Sequence, residues 1–421
     1  MGIEPSDLYG IDGMSETVCL DHITDAVLRG RLEPLASELE CSFCGRQGEE
    51  DEPHFAVAMD DLGAAVWEAA NFLYTLATDV QYFDGEPWSE ESLYETSDVI
   101  YDTVGDSIDD QHSEPIVNSL VKGASGPDHW VGGSLNALAL DWASFSRTVR
   151  HESRFVLSAS PDRPGVDDEP PARIARFLEA LVTYVESDLL VELPVGSMLY
   201  RGRMAESASA LHEKVEDEPS GELGPAPAYL SEAGRLAPAG ISLFYAADSL
   251  DTAVAEIALH SSYSEAVVGG FRTKRVMQVL DFSRELTTKL PSVFAEDRES
   301  RRRWTFARFK DQFTDMISAP VLLDGRQLVD YAPTQVVAEW LRFAPSTRID
   351  GIAWPSRVAS GTGRNVMLFL GPGPDFQTEP ATASELERRG GSRPPALTLS
   401  RSDISHYSVE RAVTPSRLSI W

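Results

Sequence analysis

The sequence predicts an α+β protein in which a small cysteine-bearing unit and an α-helical bundle precede a mixed α+β region. Three observations predict it. All the cysteines, Cys19, Cys41 and Cys44, lie close to the N-terminus. From about residue 58 to 190 apolar residues recur at helical spacing. From Val191 onward the pattern changes to short β-branched or aromatic runs broken by glycine and proline. These shifts place the expected domains at 1–55, 56–190 and 191–375, with a tail at 376–421.

Length and composition bound the reading. A chain of 421 residues has room for more than one domain, and 42% apolar content with a mean hydropathy of −0.20 fits an ordinary globular protein. No apolar run approaches the roughly 20 residues that span a bilayer. The N-terminus, MGIEPSDLYG, lacks the basic and apolar regions of a secretion signal. Cytoplasmic residence without a membrane partner is therefore expected. The 36 basic residues face 67 acidic ones, a net charge of −31. Such a surface repels phosphate backbones over a Debye length of about 8 Å, which disfavours general nucleic-acid binding. An acidic substrate would need a locally basic pocket, so arginines within motifs gain weight.

In the first unit, Cys41-Ser42-Phe43-Cys44-Gly45 has the form of a zinc knuckle, with glycine where the backbone turns around a metal. Cys19-Leu20-Asp21-His22 supplies a second pair with the same spacing. Cys19, His22, Cys41 and Cys44 together suffice for a closed, tetrahedral, structural Zn²⁺ site. A reactive Cys-x-x-Cys redox pair beside an uninvolved His22 is the alternative.

The helical region follows. Leu62, Val66, Ala69, Ala70, Leu73 and Leu76 share a helical stripe, as do Leu135, Leu138, Trp142, Phe145 and Val149. A further helix is predicted through Ile174, Phe177, Leu178, Leu181 and Val185, after a proline- and glycine-rich loop over Ser160–Pro171. These stripes read as bundle core.

In the third region strands are predicted at Ser197–Tyr200, Ile241–Tyr245, Arg275–Asp281 and Val366–Leu370. Helices are predicted at Ser249–His260, Arg301–Met316 and Thr334–Arg342, the first capped by Asp248 or Ser249. The chain after Gly371, rich in Pro, Ser, Thr and Arg, reads as partly disordered, with Ile420-Trp421 hinting at a docked end.

An ordered set of motifs runs through this region. It comprises Leu199-Tyr200-Arg201-Gly202-Arg203, then Gly234-Arg235 with Pro238 and Gly240, then Tyr245 and Glu256. Tyr331-Ala332-Pro333-Thr334-Gln335, Asp350-Gly351-Ile352-Ala353-Trp354-Pro355-Ser356 and Gly363 with Asn365 complete it. The set resembles that of RES domains, which look like ADP-ribosyltransferases and, as toxins, destroy NAD. Leu236 stands where the family usually has an aromatic and Trp354 where it has Tyr. The segment between Glu256 and Ser356 looks longer than in compact members, so inserted elements are expected.

The resemblance implies NAD as substrate and Glu256, Arg201, Tyr245 and Ser356 as catalytic residues. Arg201, Arg235, Tyr245, Tyr200 and Asn365 would bind it. Breaking the nicotinamide–ribose bond produces an oxocarbenium-like sugar and needs little acid catalysis, because nicotinamide leaves readily. The demands are to hold the pyrophosphate, fix the ribose and stabilise positive charge. Guanidinium groups suit phosphate oxygens through bidentate, charge-assisted bonds. The Glu256 carboxylate suits ribose hydroxyls and the cation. Tyr245 offers nicotinamide an aromatic face, and the Ser356 hydroxyl can orient Glu256 or the ribose. Arg203 and Ser360 are alternatives for the Arg and Ser roles.

The cysteine unit and helical region are similar to the N-terminal domain that accompanies some RES domains and is classed with HEPN bundles. Many HEPN ribonucleases carry an Arg and a His on one helix; Arg147-Thr148-Val149-Arg150-His151 is the local candidate, with a departing spacing. The expected function is NAD degradation, hydrolytic or phosphorolytic, toxin-like or defence-related. ADP-ribosyl transfer to a protein, a nucleotide-binding regulatory module and a HEPN-type ribonuclease are the alternatives. By resemblance, an antitoxin or other regulatory protein is an expected partner; oligomeric state stays open, a homo-oligomer included.

Overall fold

The computed structural model describes residues 9–77, 93–126, 128–132, 142–156, 169–259, 261–284, 292–319, 325–358, 363–381, 383–389 and 394–410. The described residues fall into two compact units. One takes those within 1–148, 157–181 and 286–309; the other takes those within 149–156, 182–285 and 310–421. The architecture is α+β.

In the first unit β1 (Thr17–Cys19) pairs antiparallel with β2 (Ala56–Ala58), Val18 opposite Val57. Between them α1 (Ala26–Leu32) starts on Asp25, whose carboxylate accepts from the Val27 and Leu28 N–H groups at 2.9 and 2.8 Å. α2 (Met59–Leu73) buries Leu62, Val66, Ala69 and Leu73, the predicted stripe. β3 (Tyr74–Leu76), β4 (Leu93–Glu95), α3 (Thr96–Val104), α4 (Ser113–Gly123) and β5 (His129–Gly132) follow.

Within the stretch from about 58 to 190 that reads as helical, β3, β5 and β4 add a three-stranded antiparallel sheet. Strands this short carry no readable alternation, and their partners lie far away in sequence. α5 (Trp142–His151) and α6 (Pro170–Tyr184) supply Phe145 and Phe177, stacked at 4.1 Å between ring centroids. Pro170 and Pro171 open α6 instead of ending the predicted loop, since proline suits a first helical turn. Leu135 and Leu138 lie outside the described residues. The core joins Val18, Leu28, Val66, Ile100, Leu120 and Phe294. Phe294 comes from residues 286–309, a stretch between Glu256 and Ser356 that belongs to this unit.

The second unit contains β6 (Leu190–Leu193), β7 (Met198–Ala205), α7 (Ala208–Asp217), α8 (Pro219–Glu222), β8 (Phe244–Ala247), α9 (Leu250–Leu259), β9 (Glu265–Thr273) and β10 (Met277–Asp281). It continues with α10 (Arg298–Ser318), whose residues from Lys310 onward belong here, α11 (Gln327–Asp330), α12 (Ala332–Phe343), β11 (Gly351–Pro355), β12 (Arg364–Leu368), β13 (Phe376–Glu379), α13 (Ala383–Arg389) and β14 (Leu397–Ser408). Nine strands form one sheet in the order β13-β14-β9-β7-β8-β12-β11-β10-β6. Only β10–β11 and β13–β14 pair in parallel.

Alternation along the strands gives the sheet two faces. One carries Leu199, Phe244, Val267, Phe271, Leu368 and Leu399 into a common core. The other receives α9 on Tyr200, Ala247 and Val268. Gly202 permits that approach: a Cβ there would stand 2.7 Å from Val268 and 3.0 Å from Ile257.

Part of the segment after Gly371 is regular structure. It holds β13, α13 and the long β14, which pairs with β9 through Leu399–Phe271 and Tyr407–Ala266. Its polar composition hid a strand whose partner is remote in sequence. Ile420 and Trp421 lie outside the described residues. Among the described residues no helix is long and apolar enough to cross a membrane.

Candidate active site and metal-binding cluster

β7 and β8 share a single register pair, Tyr200–Ala247, and beyond it the ladder opens. Arg201 fills the opening: its Nη1 donates to the Tyr245 carbonyl at 2.5 Å, replacing a strand partner. Its Nε is buried without a hydrogen-bond partner, and its guanidinium lies 5.7 Å from the Phe244 ring centroid. Burial, then the neighbouring charge of Arg203, push the Arg201 guanidinium down to about 10, which leaves it a cation at neutral pH. Among the described residues neither Arg201 nor Arg203 meets a carboxylate. In a chain of net charge −31, two adjacent uncompensated cations make an anion-seeking locus.

Tyr245 occupies the second position of β8, one turn of sequence before the predicted helix start, and its ring stands 6.5 Å from that of Trp354. Burial pushes its phenol up, opposed by the Leu236 backbone and by the charges of Arg201 and Arg235. Arg235 and Arg201 therefore both bear on Tyr245. Arg235 is itself anchored: its Nη1 donates to the Ile317 carbonyl at 2.6 Å, satisfying an end group of α10. The glycine loop around it is held by α12. Gln335 Nε2 donates to the Gly234 and Ala237 carbonyls at 2.7 and 3.3 Å, and the Thr334 hydroxyl donates to the Arg235 carbonyl. That gives the Tyr331–Gln335 motif a physical reason that spacing alone does not reveal.

Glu256 projects from α9. Its Oε1 accepts from Ser356 Oγ at 2.6 Å and from Asn365 Nδ2 at 2.6 Å, while Oε2 makes no hydrogen bond among the described residues. Ser249 caps α9, its Oγ accepting from the Thr252 N–H at 3.2 Å. Asp248 serves elsewhere, accepting from the Arg364 backbone N–H at 2.9 Å and its Nε at 2.8 Å. Asn365 lies opposite both Ala247 and Trp354 in the ladder, which brings β8, β11 and β12 to the same carboxylate. The Ser356 N–H donates to the Gly363 carbonyl at 2.9 Å. A Cβ at Gly363 would stand 2.0 Å from Thr252 Oγ1. Tyr200 packs beside α9, on the strand face opposite Arg201. Ser360 lies outside the described residues.

Asp350, first of the Asp-Gly-Ile motif, plays a structural part. It is buried and receives the Arg275 fork at 2.8 and 2.7 Å. Burial alone would raise its carboxyl. The hydrogen bonds from Arg275 and the Gln278 N–H, with the charges of Arg275 and Arg348, outweigh that and hold it below the usual range.

In the first unit the ligand atoms of Cys19, His22, Cys41 and Cys44 all lie within 4.8 Å of one another. The cysteines are free thiols, and Cys19 Sγ lies 4.0 Å from Cys44 Sγ. A disulfide requires about 2.05 Å; two sulfurs around a tetrahedral ion with metal–sulfur bonds of about 2.3 Å stand roughly 3.8 Å apart. Gly45 supplies the left-handed turn, at φ +71°. Burial raises Cys41, but N–H groups of Cys44, Cys19 and Phe43 aimed at its sulfur win and lower it. Burial and the two neighbouring sulfurs push Cys19 up to about 12.

His22 Nδ1 meets Asp109 Oδ2 at 2.7 Å, and its Nε2 is buried without a partner. A carboxylate accepts, so Nδ1 carries the proton and Nε2 is left as a lone pair. The donor set and the orphaned nitrogen fit a metal ion. Asp109 was not legible as a participant: it lies 87 residues from His22 in an ordinary acidic loop. His151 is exposed at the end of α5, and Arg150 points its Nη2 at Met316 Sδ, 3.9 Å away.

Residues 209–389 match the RES domain family, and residues 36–163 match the HEPN/RES N-terminal domain 1 family. Tyr200 and Arg201 fall just before the first stretch, and Cys19 and His22 before the second. No curated protein matches the chain. A RES domain suggests an NAD-related, toxin-type function. The chain thus carries a RES-domain match over 209–389 behind a HEPN/RES N-terminal domain 1 match over 36–163.

Proposed function

We propose that this protein degrades NAD by cleaving the nicotinamide–ribose bond, as a toxin or defence enzyme. The observation that carries the reading is Glu256, held by Ser356 and Asn365 through one oxygen while the other makes no hydrogen bond among the described residues, in the same unit as Arg201, which meets no carboxylate among them. In this reading Arg201, with Arg203 beside it, takes the pyrophosphate. Tyr245 flanks the base and Glu256 stabilises the developing sugar cation, while Tyr200, on the strand face opposite Arg201, packs against α9. Arg235 contributes field more than direct contact, since Ile317 already engages it. Water or phosphate is the acceptor.

NAD consumption by the full chain, with and without inorganic phosphate, tests this. ADP-ribose as product identifies hydrolysis, and its 1″-phosphate identifies phosphorolysis. Arg201→Lys, which keeps the charge but loses the fork, should raise KM for NAD about tenfold or more. Unchanged kinetics would remove Arg201 from the site.

The Cys19–His22–Cys41–Cys44 cluster is proposed to hold one structural Zn²⁺. Four protein donors leave no open position for catalysis. Of the expected divisions, the one at 190 is proposed as a domain boundary on composition and motif placement, whereas β1–β2 pairing spans 55 and β9–β14 pairing spans 375.

A further inference from the structure

We infer that Asp109 is the positioning residue of the metal cluster, fixing which nitrogen of His22 faces the three cysteines; this rests on the proposed metal site. An imidazole can present either nitrogen, and a thiolate cluster needs the lone pair. Asp109 Oδ2 takes the Nδ1 proton at 2.7 Å, so the buried Nε2 is the nitrogen left for the ion.

The carboxylate is not a stray surface acid. The Asp109 backbone N–H donates to the His22 carbonyl at 2.9 Å, and Thr24 N–H donates to the Ser107 carbonyl at 2.9 Å, with Ile23 bridged to Ile108. Backbone pairing therefore brings the two residues together before any side chain is placed. Asp109 Oδ1 is fixed in turn, accepting from His112 Nδ1 at 2.8 Å and from the Gln111 and His112 N–H groups at 3.1 and 3.2 Å. The His112 ring lies 3.9 Å from that of His22 between centroids.

The cluster is thus not a self-contained knuckle. Its histidine ligand is oriented by the loop that leads into α4, and a ligating histidine commonly needs such a carboxylate for full metal affinity.

The test uses Co²⁺ as a spectroscopic probe on the reduced full chain, with wild type, Asp109→Ala, Asp109→Asn and His22→Ala compared by titration. Circular dichroism at the titration temperature establishes that each is folded. Wild type should develop thiolate-to-cobalt charge transfer and the visible bands of a tetrahedral ion. Asp109→Ala should bind about 10–100-fold more weakly with shifted visible bands. Asp109→Asn, which keeps an acceptor but not the charge, should fall between, and remains informative if Asp109→Ala does not fold. A structural role alone would lower the melting temperature and leave the bands unmoved. Wild-type affinity and bands in both Asp109 variants, with His22→Ala impaired, would overturn the inference while leaving the metal site intact. Absence of thiolate charge transfer in wild type would overturn both.

Discussion

Ser356 Oγ donates to Glu256 Oε1 at 2.6 Å, joining two residues 100 positions apart in the sequence. Asn365 donates to the same oxygen, so both anchors orient the carboxylate and neither occupies Oε2. A bond to a charged group contributes about 1.5–3 kcal/mol, so Ser356→Ala should lower kcat/KM for NAD roughly 10–100-fold. Asn365→Ala should do the same. The double variant should lose less than the product of the two, because both act through one atom. Steady-state kinetics on the three variants checks this, and strictly multiplicative losses would argue for independent roles.

Gly363 should tolerate no side chain. A Cβ there meets Thr252 Oγ1 at 2.0 Å, and Thr252 is buried on α9, four residues before Glu256. Gly363→Ala should therefore displace Glu256 and reduce NAD turnover about tenfold or more. Adding Thr252→Ala, which deletes the clashing oxygen, should restore part of it. No loss in the single variant would contradict the contact.

The Arg275–Asp350 pair should impose an acid limit on stability. The folded-state pKa of Asp350 is depressed below its unfolded value, so its contribution is present above the unfolded pKa of about 3.9 and fades as pH falls through the lower folded value. Asp350→Asn should cost about 2 kcal/mol at pH 7, discounted because Arg275 is one-third exposed. The gap to wild type should persist to about pH 5 and close below about pH 4. Melting curves across that range decide it; a gap that widens in acid would reverse the assignment.

Metal removal should act on the first unit. A chelator applied to reduced protein should release one Zn²⁺ per chain and lower the melting temperature, and Cys41→Ser should abolish the metal content. Atomic absorption and calorimetry read both. An unchanged melting profile after verified metal removal would falsify the structural role.

Much of this was legible locally. The Cys-x-x-Cys-Gly turn, the stripe through Leu62–Leu73 and the strands around Tyr245 and Asn365 depend on neighbours in sequence, and the structure has them as turn, helix and strand. What escaped depends on distance. β14 is a strand because β9 pairs with it, and β3, β4 and β5 are too short for alternation to register. Asp109 orients His22, and Gln335 supports Gly234, across separations that no local pattern encodes. The ladder opening that admits Arg201 is a property of two strands together, invisible in either alone.

The most direct measurement is nicotinamide release from NAD by the full chain, with Glu256→Gln compared after circular dichroism shows the same fold. The account predicts release by wild type and a loss of about 1,000-fold or more in the variant, because an amide cannot stabilise the sugar cation as a carboxylate does. Equal release by both proteins, or none from wild type above a heat-inactivated control, would contradict it.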